Sequence, residues 1–333
     1  MKMRANRQIS VWALLVALSV VLALALVAGG CGSGSATTTS QAVTTTQGVT
    51  TTSGATTTSG PTDTSTTVAK SDLVLASTTS TQDSGLFDVL IPAFTKAFPQ
   101  YNVKVVAVGS GEALTLGQNG DADVLLVHSP AAELDFMTKG YGVDRKAVMY
   151  NDFIIVGPKN DPVKVAGTKG AADAFKAIAA AQATFVSRGD KSGTNTKELA
   201  IWASAKITPT KEMKWYNAIG QGMGDTLLFS NEQQGYTLSD RGTYLSMQDK
   251  LTGLTIVFGG QKLADNQDKL LLNPYGVMAV NPARHPAVNY DLAMKFVNWI
   301  LSVDTQKLIA GYGVDKYGQP LFYANSAQYQ AAQ

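Results

Sequence analysis

Cysteine and histidine are scarce in this sequence, which has one cysteine and two histidines among 333 residues. A single cysteine excludes an intrachain disulfide, so packing alone must stabilise the fold. Two histidines with no second soft ligand near them give no metal-binding spacing. The sequence also lacks a Gly-x-Ser-x-Gly turn and a phosphate-binding P-loop. We therefore predict no metal site, no cofactor and no enzymatic activity.

An excess of charge of one sign is also missing, because the formal net charge is only +2 at pH 7. Proteins that bind nucleic acid usually carry a basic face, so we predict no nucleic-acid partner. Hydrophobic residues make up 45% of the chain, which is enough for a sizeable core and for more than one domain.

The N-terminus has the pattern of an export signal. Lys2, Arg4 and Arg7 precede an apolar run over residues 11–27, and small residues then lead to Cys31. Residues 1–31 resemble a lipoprotein signal peptide in which Cys31 is lipidated. The alternative is a retained signal anchor, since the run is near the minimum length for a membrane-spanning helix. Either way, the rest of the protein is expected outside the cytoplasm.

Residues 32–70 consist almost entirely of threonine, serine, glycine, alanine and glutamine. Such a segment cannot bury enough apolar surface to order itself. We interpret it as a disordered tether between Cys31 and a folded part that begins near Ser71.

Strand and helix patterns alternate through the folded part. Apolar strand patterns at residues 72–77, 103–108 and 123–128 are each followed by a helical pattern. This alternation predicts an α/β fold with doubly wound, mostly parallel sheets and flanking helices. Asp83 or Ser84 is the expected first N-cap, and Asn195 with Glu198 has the spacing of a capping box.

Hydroxyl-rich loops follow several of these strands. Residues 77–81 read STTST, residues 109–111 read GSG, residues 188–196 read RGDKSGTNT, and residues 236–241 read YTLSDR. Helix starts leave backbone N–H groups without partners and carry a partial positive charge, so such loops favour an anion. Because ligands bind beyond the carboxyl ends of the strands in α/β sheets, we expect the loops to converge on one pocket.

These residues together resemble the tungstate-binding proteins of ABC importers, a branch of the type II periplasmic-binding-protein superfamily. The resemblance covers about residues 71–323. Ser77 and Ser239 stand where threonine is common in that family. The matching segments are 77–80, 83–86, 109–114, 119–123, 127–128, 151–153, 187–194 and 236–244.

The resemblance implies a two-lobed fold with two crossover segments, near residues 151–157 and 273–280. One lobe would hold residues 71–150 and 274–333, and the other residues 151–273. It also implies a monomeric lipoprotein, anchored to the outer face of the cell membrane, that captures tungstate or molybdate between its lobes and delivers it to an ABC permease with its ATPase. The expected ligand-binding residues are Thr78, Thr79, Ser80, Ser110, Arg188, Ser192, Thr194, Tyr236, Thr237 and Arg241.

Other interpretations stay open from the residues alone. Tungstate and molybdate only accept hydrogen bonds at neutral pH, whereas hydrogen phosphate also needs an acceptor, which Asp83, Asp190 or Asp240 could provide. Binding of phosphate or another tetrahedral oxyanion, an anion sensor, and a carboxylate-using hydrolase are therefore the competing functions.

Several candidate residues also have purely structural interpretations. One interpretation of the hydroxyls of residues 78–81 is that they only cap a helix. Arg188 could pair with Asp190, and Arg241 with Asp240, as surface ion pairs. Tyr236 could pack rather than line the pocket, and His128 is expected to be a core or rim histidine.

Overall fold

The computed structural model describes residues 71–333, which fall within one compact unit, Ser65–Gln333. The predicted signal peptide, the lipidation site Cys31 and the predicted tether all lie outside the described residues. Within residues 71–333, no helix is long and apolar enough to cross a membrane.

Ten strands form the sheet in the part of the chain that the structure describes. They are β1 (Ser71–Thr78), β2 (Tyr101–Val108), β3 (Val124–Val127), β4 (Gly142–Pro158), β5 (Phe185–Ser187), β6 (Tyr216–Ala218), β7 (Tyr236–Asp240), β8 (Leu254–Phe258), β9 (Leu272–Val280) and β10 (Tyr323–Ala324).

Twelve α-helices accompany these strands within the same residues. They are α1 (Thr79–Asp83), α2 (Phe87–Ala97), α3 (Ser110–Asn119), α4 (Pro130–Thr138), α5 (Ala171–Ala180), α6 (Gly193–Ser204), α7 (Met223–Gln233), α8 (Arg241–Met247), α9 (Tyr290–Leu301), α10 (Val303–Gly311), α11 (Val314–Tyr317) and α12 (Ala327–Ala331).

The sheet contains two parallel groups joined by antiparallel strands. Strand order is β2-β1-β3-β9-β4-β7-β5-β6, with β8 and β10 also pairing with β4. Strand β1 pairs in parallel with β2 and β3, and β5 pairs in parallel with β6 and β7. Strands β4 and β9 run antiparallel to each other and to their neighbours. The predicted α/β fold with flanking helices is confirmed, and these long antiparallel strands contain the two segments predicted as crossovers.

The strands of the parallel groups are apolar because helices cover both of their faces. In β3, Val124 and Leu126 belong to one buried cluster, while Leu125 and Val127 belong to another on the opposite face. A further cluster, around Phe175, Phe185 and Trp202, packs against the other parallel group. Each parallel group is therefore rigidly supported from both sides, and so are the loops at its carboxyl edge.

Two predicted helix starts are wrong. Asp83 or Ser84 was expected to cap the first long helix, but that helix is α2, which begins at Phe87 after Leu86. The short helix α1 precedes it, and Thr78 is the N-cap of α1, accepting a hydrogen bond from the backbone N–H of Thr81. Helix α6 is capped by Ser192, which accepts from the backbone N–H of Asn195. Ser192 and Asn195 are both possible N-caps in the sequence. In the structure, the side chain of Asn195 is buried and bonded to Lys191 and Ser187, so Ser192 is the cap.

Candidate functional site

The loops after β1, β2, β3 and β5 meet at one edge of the sheet. Strands β1, β2 and β3 are connected by parallel pairing, so their carboxyl ends lie side by side. The loop after β5 reaches this edge from the other parallel group through Arg188, whose side chain contacts residues of α1. Three of the four predicted hydroxyl-rich segments therefore converge at this edge. The fourth, residues 236–241, instead forms strand β7 and the start of α8.

Arg188 is the central charged residue of this edge and is only 2% exposed. Its Nη2 donates to Thr79 Oγ1 at 2.9 Å, and its Nη1 donates to Ser80 Oγ at 3.4 Å. It also forms an ion pair with Asp190 at 2.5 Å. Burial distinguishes this pair from the surface pair that the sequence left open. Because the guanidinium is planar and held by these contacts, its hydrogen-bond donors are already oriented before a ligand binds.

The loop after β5 is folded tightly around this arginine. Asp190 Oδ1 accepts from the backbone N–H of Ser192, and Asn195 Oδ1 accepts from that of Lys191. Lys191 has a left-handed backbone with φ of +59°, which ordinarily costs a non-glycine residue about 1–2 kcal/mol. The two side-chain hydrogen bonds offset that cost and direct the start of α6 toward the loop after β2.

Two glycines allow the loops to approach each other closely. A Cβ on Gly193 would lie 3.0 Å from Ser110 Oγ and 3.1 Å from His128 Cε1. A Cβ on Gly109 would lie 3.3 Å from both Cα and Cβ of Ser192. Any side chain at these positions would force the loops apart. The N-termini of α3 and α6 therefore face the same small space, each with N–H groups that lack a helical partner.

Four buried polar atoms at this edge have no hydrogen-bond partner within the protein. Among the described residues, seven buried side-chain atoms lack a hydrogen-bond partner, and four of these seven lie together at this edge. Buried polar groups are almost always hydrogen-bonded, and a group of exceptions at strand ends indicates a ligand. The four atoms are Ser110 Oγ, His128 Nε2, Arg188 Nε and Thr194 Oγ1. We call Ser80, Ser110, His128, Arg188 and Thr194 the polar cluster.

His128 was not among the sequence-predicted site residues, although it directly follows β3 as Arg188 directly follows β5. Its ring stacks on Tyr275 with ring centroids 4.6 Å apart, and its Nδ1 lies 2.9 Å from Asn273 Oδ1. Burial lowers the pKa of His128 to about 4, so the ring is neutral at pH 7. The strand-end position was the signal in the sequence that could have identified it.

Asp240 stabilises the polar cluster indirectly, through hydrogen bonds to a neighbouring residue. It caps α8 by accepting from the backbone N–H and the hydroxyl of Thr243. The same threonine hydroxyl lies 3.1 Å from the backbone oxygen of Ser80, which fixes the start of α1. Burial raises the pKa of Asp240, and these donors together with the nearby Arg188 oppose the rise.

Glu198 supports the start of α6. Its carboxyl accepts from Ser187 Oγ at 2.6 Å, Tyr216 OH at 2.8 Å and Trp202 Nε1 at 3.0 Å. Burial raises the pKa of Glu198 to about 7 despite these donors. This carboxyl therefore holds α6 to β5 and β6, instead of completing the capping box that the sequence suggested.

Four predicted ligand residues have their polar atoms engaged elsewhere. Thr78 Oγ1 caps α1, and Thr237 Oγ1 donates to the backbone oxygen of Val186 at 2.8 Å. Tyr236 OH donates to Asp161 at 2.9 Å and accepts from the backbone of Val163. These three side chains serve the fold in this structure.

Arg241 is also engaged within the protein, but with a different partner from the one considered. It forms a two-pronged ion pair with Asp152, at 2.7 and 2.6 Å, in which both side chains are buried. Its remaining N–H groups donate to the backbone oxygens of Gly259 and Gly260. The Asp240 pairing weighed from the sequence is therefore absent, since the carboxyl of Asp240 instead caps α8.

The six other predicted residues, Thr79, Ser80, Ser110, Arg188, Ser192 and Thr194, lie at the strand-end edge. Hydroxyls, an arginine and helix N-termini are hydrogen-bond donors, and together they suit a small anion. Within residues 71–333, no group of three or more histidine, cysteine or acidic side chains could hold a metal ion.

Comparison with known proteins gives consistent matches over the folded part. Residues 35–304 match the family model described as the PBP superfamily domain. The chain is 50% identical over 264 residues to the tungstate-binding protein TupA of Peptoclostridium acidaminophilum, covering 79% of this chain and 88% of that relative. It is 42% identical over 246 residues to the protein of the same name from Campylobacter jejuni, covering 73% and 87%.

Solved structures give the same result. A crystal structure described as the tungstate ABC transporter from Geobacter sulfurreducens shares 50% sequence identity with this chain and aligns with a TM-score of 0.65. The alignment covers 73% of this chain and all of that one.

Proposed function

The chain belongs to the tungstate-binding proteins of the PBP superfamily, and from this premise we propose that it is an extracytoplasmic solute-binding protein that captures tungstate. Molybdate, which has the same shape and charge, is the close alternative ligand. The polar cluster is the proposed binding site. Thr79, Ser192 and the N-termini of α3 and α6 complete it.

The observation that supports this proposal most directly is the set of unpartnered donors. Ser110 Oγ, Thr194 Oγ1 and Arg188 Nε are buried and have no acceptor within the protein. Tungstate offers only acceptors, so one dianion could satisfy all three. Hydrogen bonds to charged groups contribute about 1.5–3 kcal/mol each. Three of them with two helix N-termini are consistent with the roughly 8 kcal/mol that micromolar affinity requires.

The carboxyls near the site do not offer hydrogen phosphate, the second candidate, an acceptor that is free of protein donors. A protonated anion needs an acceptor, but each of the three candidate acceptors already has donors within the protein. Asp190 accepts from Arg188 and Ser192, and Asp240 accepts twice from Thr243. Asp83 accepts from the backbone N–H of Gly224 at 2.9 Å.

We further propose that the ligand is enclosed by closure of two lobes, residues 71–150 with 274–333 and residues 151–273. Contacts between these segments support the idea, since Arg188 reaches Thr79 and Ser80, and Asp83 reaches Gly224. Closure would follow from the ligand because donors on both segments are satisfied by one anion.

The proposed partner is an ABC permease with its ATPase, to which a closed, loaded monomer would be delivered. Cys31, lipidated, would keep the protein on the outer face of the cell membrane. Mass spectrometry of the membrane-extracted protein tests the anchor. An added diacylglyceryl group on a mature chain that starts at Cys31 is the expected result, and an intact N-terminus from Met1 would contradict it.

Titration calorimetry with tungstate, molybdate, sulfate and phosphate tests the binding function. We expect a single site with micromolar or tighter affinity for tungstate, and at least about hundredfold weaker binding of phosphate. Tight phosphate binding without heat from tungstate would contradict the proposal. An anion sensor would show the same binding profile, so transport in vesicles that contain the permease separates the two roles.

A further inference from the structure

One atom of the polar cluster differs from the others, because His128 Nε2 can be an acceptor. His128 is 3% exposed, and its Cε1 and Ser110 Oγ both lie about 3 Å from the position of a Cβ on Gly193. The ring edge that carries Cε1 and Nε2 therefore faces the space shared by Ser110 and the start of α6. No protein atom accepts from or donates to this nitrogen.

A chain of side-chain hydrogen bonds determines which ring nitrogen carries the proton. At its far end, Asp240 Oδ1 accepts from Asn151 Nδ2 at 3.4 Å. Asn151 Oδ1 then accepts from Asn273 Nδ2 at 2.7 Å, which leaves Asn273 Oδ1 to face His128 Nδ1 at 2.9 Å. An amide oxygen only accepts, so Nδ1 must hold the proton of the neutral ring. Nε2 therefore presents a lone pair to the site.

A lone pair directed at a bound dianion would be repulsive, whereas a second proton would turn Nε2 into a charge-assisted donor. The protonated ring could keep its Nδ1–H bond to Asn273 and donate Nε2–H to the ligand at the same time. No rearrangement of the protein is needed for this change.

We propose that His128 is a further ligand-binding residue, and that it takes up one proton at Nε2 when a tetrahedral dianion binds beside Ser110 and Thr194. The inference rests on the proposed binding function and deepens it. The protein would then bind a dianion and a proton together, at a site whose other side chains offer donors without taking up a proton.

The charges around the ring decide the direction of the effect. The positive charges of Arg188 and Lys197 disfavour protonation of the His128 ring, while the negative charge of Asp190 favours it. Asp240 is linked to the ring by hydrogen bonds through Asn151 and Asn273. The ring face is covered by the neutral Tyr275. Burial, together with the charges of Arg188 and Lys197, lowers the pKa of free His128 to about 4, against the hydrogen bond to Asn273 and the charge of Asp190. A bound dianion adds two negative charges and raises the pKa of the ring in the complex.

The sign of the pH dependence follows from these two values. Between pH 4 and the pKa of the complex, the loaded protein holds one proton more than the free protein. Affinity for tungstate should therefore fall about tenfold per pH unit as the pH rises through this window. Above the pKa of the complex, the affinity should become independent of pH.

Calorimetry with sodium tungstate tests the proposal. Titrations of the full chain between about pH 6.5 and pH 8.5, in buffers of low and high ionisation enthalpy, measure proton uptake per tungstate bound. We expect uptake of up to one proton at the acid end, decreasing toward zero as the pH rises. The variant H128Q places an amide nitrogen near the position of Nε2 without a titrating group. It should bind tungstate with little pH dependence and with no proton uptake.

A matched control and two further outcomes complete the test. The variant H285Q changes the other histidine of the chain and should retain the proton uptake of the unmodified protein. Tungstate binding without proton uptake at any pH tested, or with the same uptake in H128Q, would overturn this inference alone. An absence of tungstate binding in the unmodified protein would instead overturn the proposed function and this inference with it.

Discussion

Arg188 is the residue on which the proposed anion site depends most. It is buried, and two of its nitrogens have partners within the protein: Nη2 contacts Thr79 and Asp190, and Nη1 contacts Ser80, while Nε has none. Asp190 offsets part of its charge and fixes its orientation. The sequence predicted this residue from its strand-end position and from the family resemblance.

Substitution of Arg188 should weaken tungstate binding without unfolding the protein. We expect R188A to lower the affinity more than tenfold, since hydrogen bonds from a charged donor contribute about 1.5–3 kcal/mol. R188K keeps a positive charge but loses the planar guanidinium, so its affinity for tungstate should lie between those of R188A and the unmodified protein. The control is R284A, which removes an exposed arginine that contacts Tyr141 and Lys139. Calorimetry showing unchanged affinity in R188A would remove Arg188 from the site.

Other side chains show the limit of sequence reasoning for single residues. Tyr236, Thr237 and Arg241 lie on a polar loop pattern like those of the site, yet their partners are Asp161, Val186 and Asp152. These partners are distant in sequence, and β7 is buried on both faces, so no alternation distinguishes a pocket-facing side chain. Long-range pairing, rather than local pattern, decides the use of each side chain.

Glu198 should make the stability of the protein depend on pH. Burial raises its pKa from 4.5 to about 7, so the folded chain holds a proton that the unfolded chain releases within this window. The free energy of unfolding should therefore fall as the pH rises through the window, by about 3 kcal/mol from this group, and level off above it. Urea unfolding of E198Q should lack that decrease.

The matched control for this prediction is E232Q, because Glu232 is an exposed acid on α7. Its unfolding curve should keep the same pH dependence as the unmodified protein. If E198Q and the unmodified chain lost stability in parallel between about pH 5 and pH 8, other buried carboxyls would be responsible.

At the scale of elements, the sequence predicted most strands and helices but not how they pair. Periodicity located β1, β2 and β3, and capping residues indicated the start of α6, because buried faces and helix ends leave a local signal in the sequence. The antiparallel pairing of β4 with β9 leaves no such signal, since their paired residues lie more than a hundred positions apart. Helix starts were misplaced where several small polar residues compete as caps.

The contact between α1 and α7 offers a test of closure at this scale. Asp83, at the end of α1, accepts from the backbone N–H of Gly224 in the first turn of α7 at 2.9 Å. These residues lie in different predicted lobes, so the bond should help to keep a loaded protein closed. We expect D83A to release tungstate about 2- to 10-fold faster, the usual effect of one net hydrogen bond. Stopped-flow dissociation with excess competing molybdate measures the rate.

The control for this variant is D225A, which removes an exposed acid from the same turn of α7. It should dissociate at the rate of the unmodified protein. An unchanged dissociation rate in D83A would mean that the contact between α1 and α7 does not hold the ligand in.

At the scale of the whole molecule, two parallel strand groups present their loops to one another across the antiparallel strands β4 and β9. One group supplies Ser80, Ser110 and His128, and the other supplies Arg188 and Thr194. The proposed function requires the ligand to lie between the two groups, in contact with both.

The position of bound tungsten tests this requirement most directly. Crystals of the protein grown with tungstate and measured at the tungsten absorption edge would give one strong anomalous peak. We expect this peak among Ser80, Ser110, His128, Arg188 and Thr194, within hydrogen-bonding reach of each through the tungstate oxygens. An ordered tungsten elsewhere, for example beside Arg241 and Asp152, would contradict the proposed site.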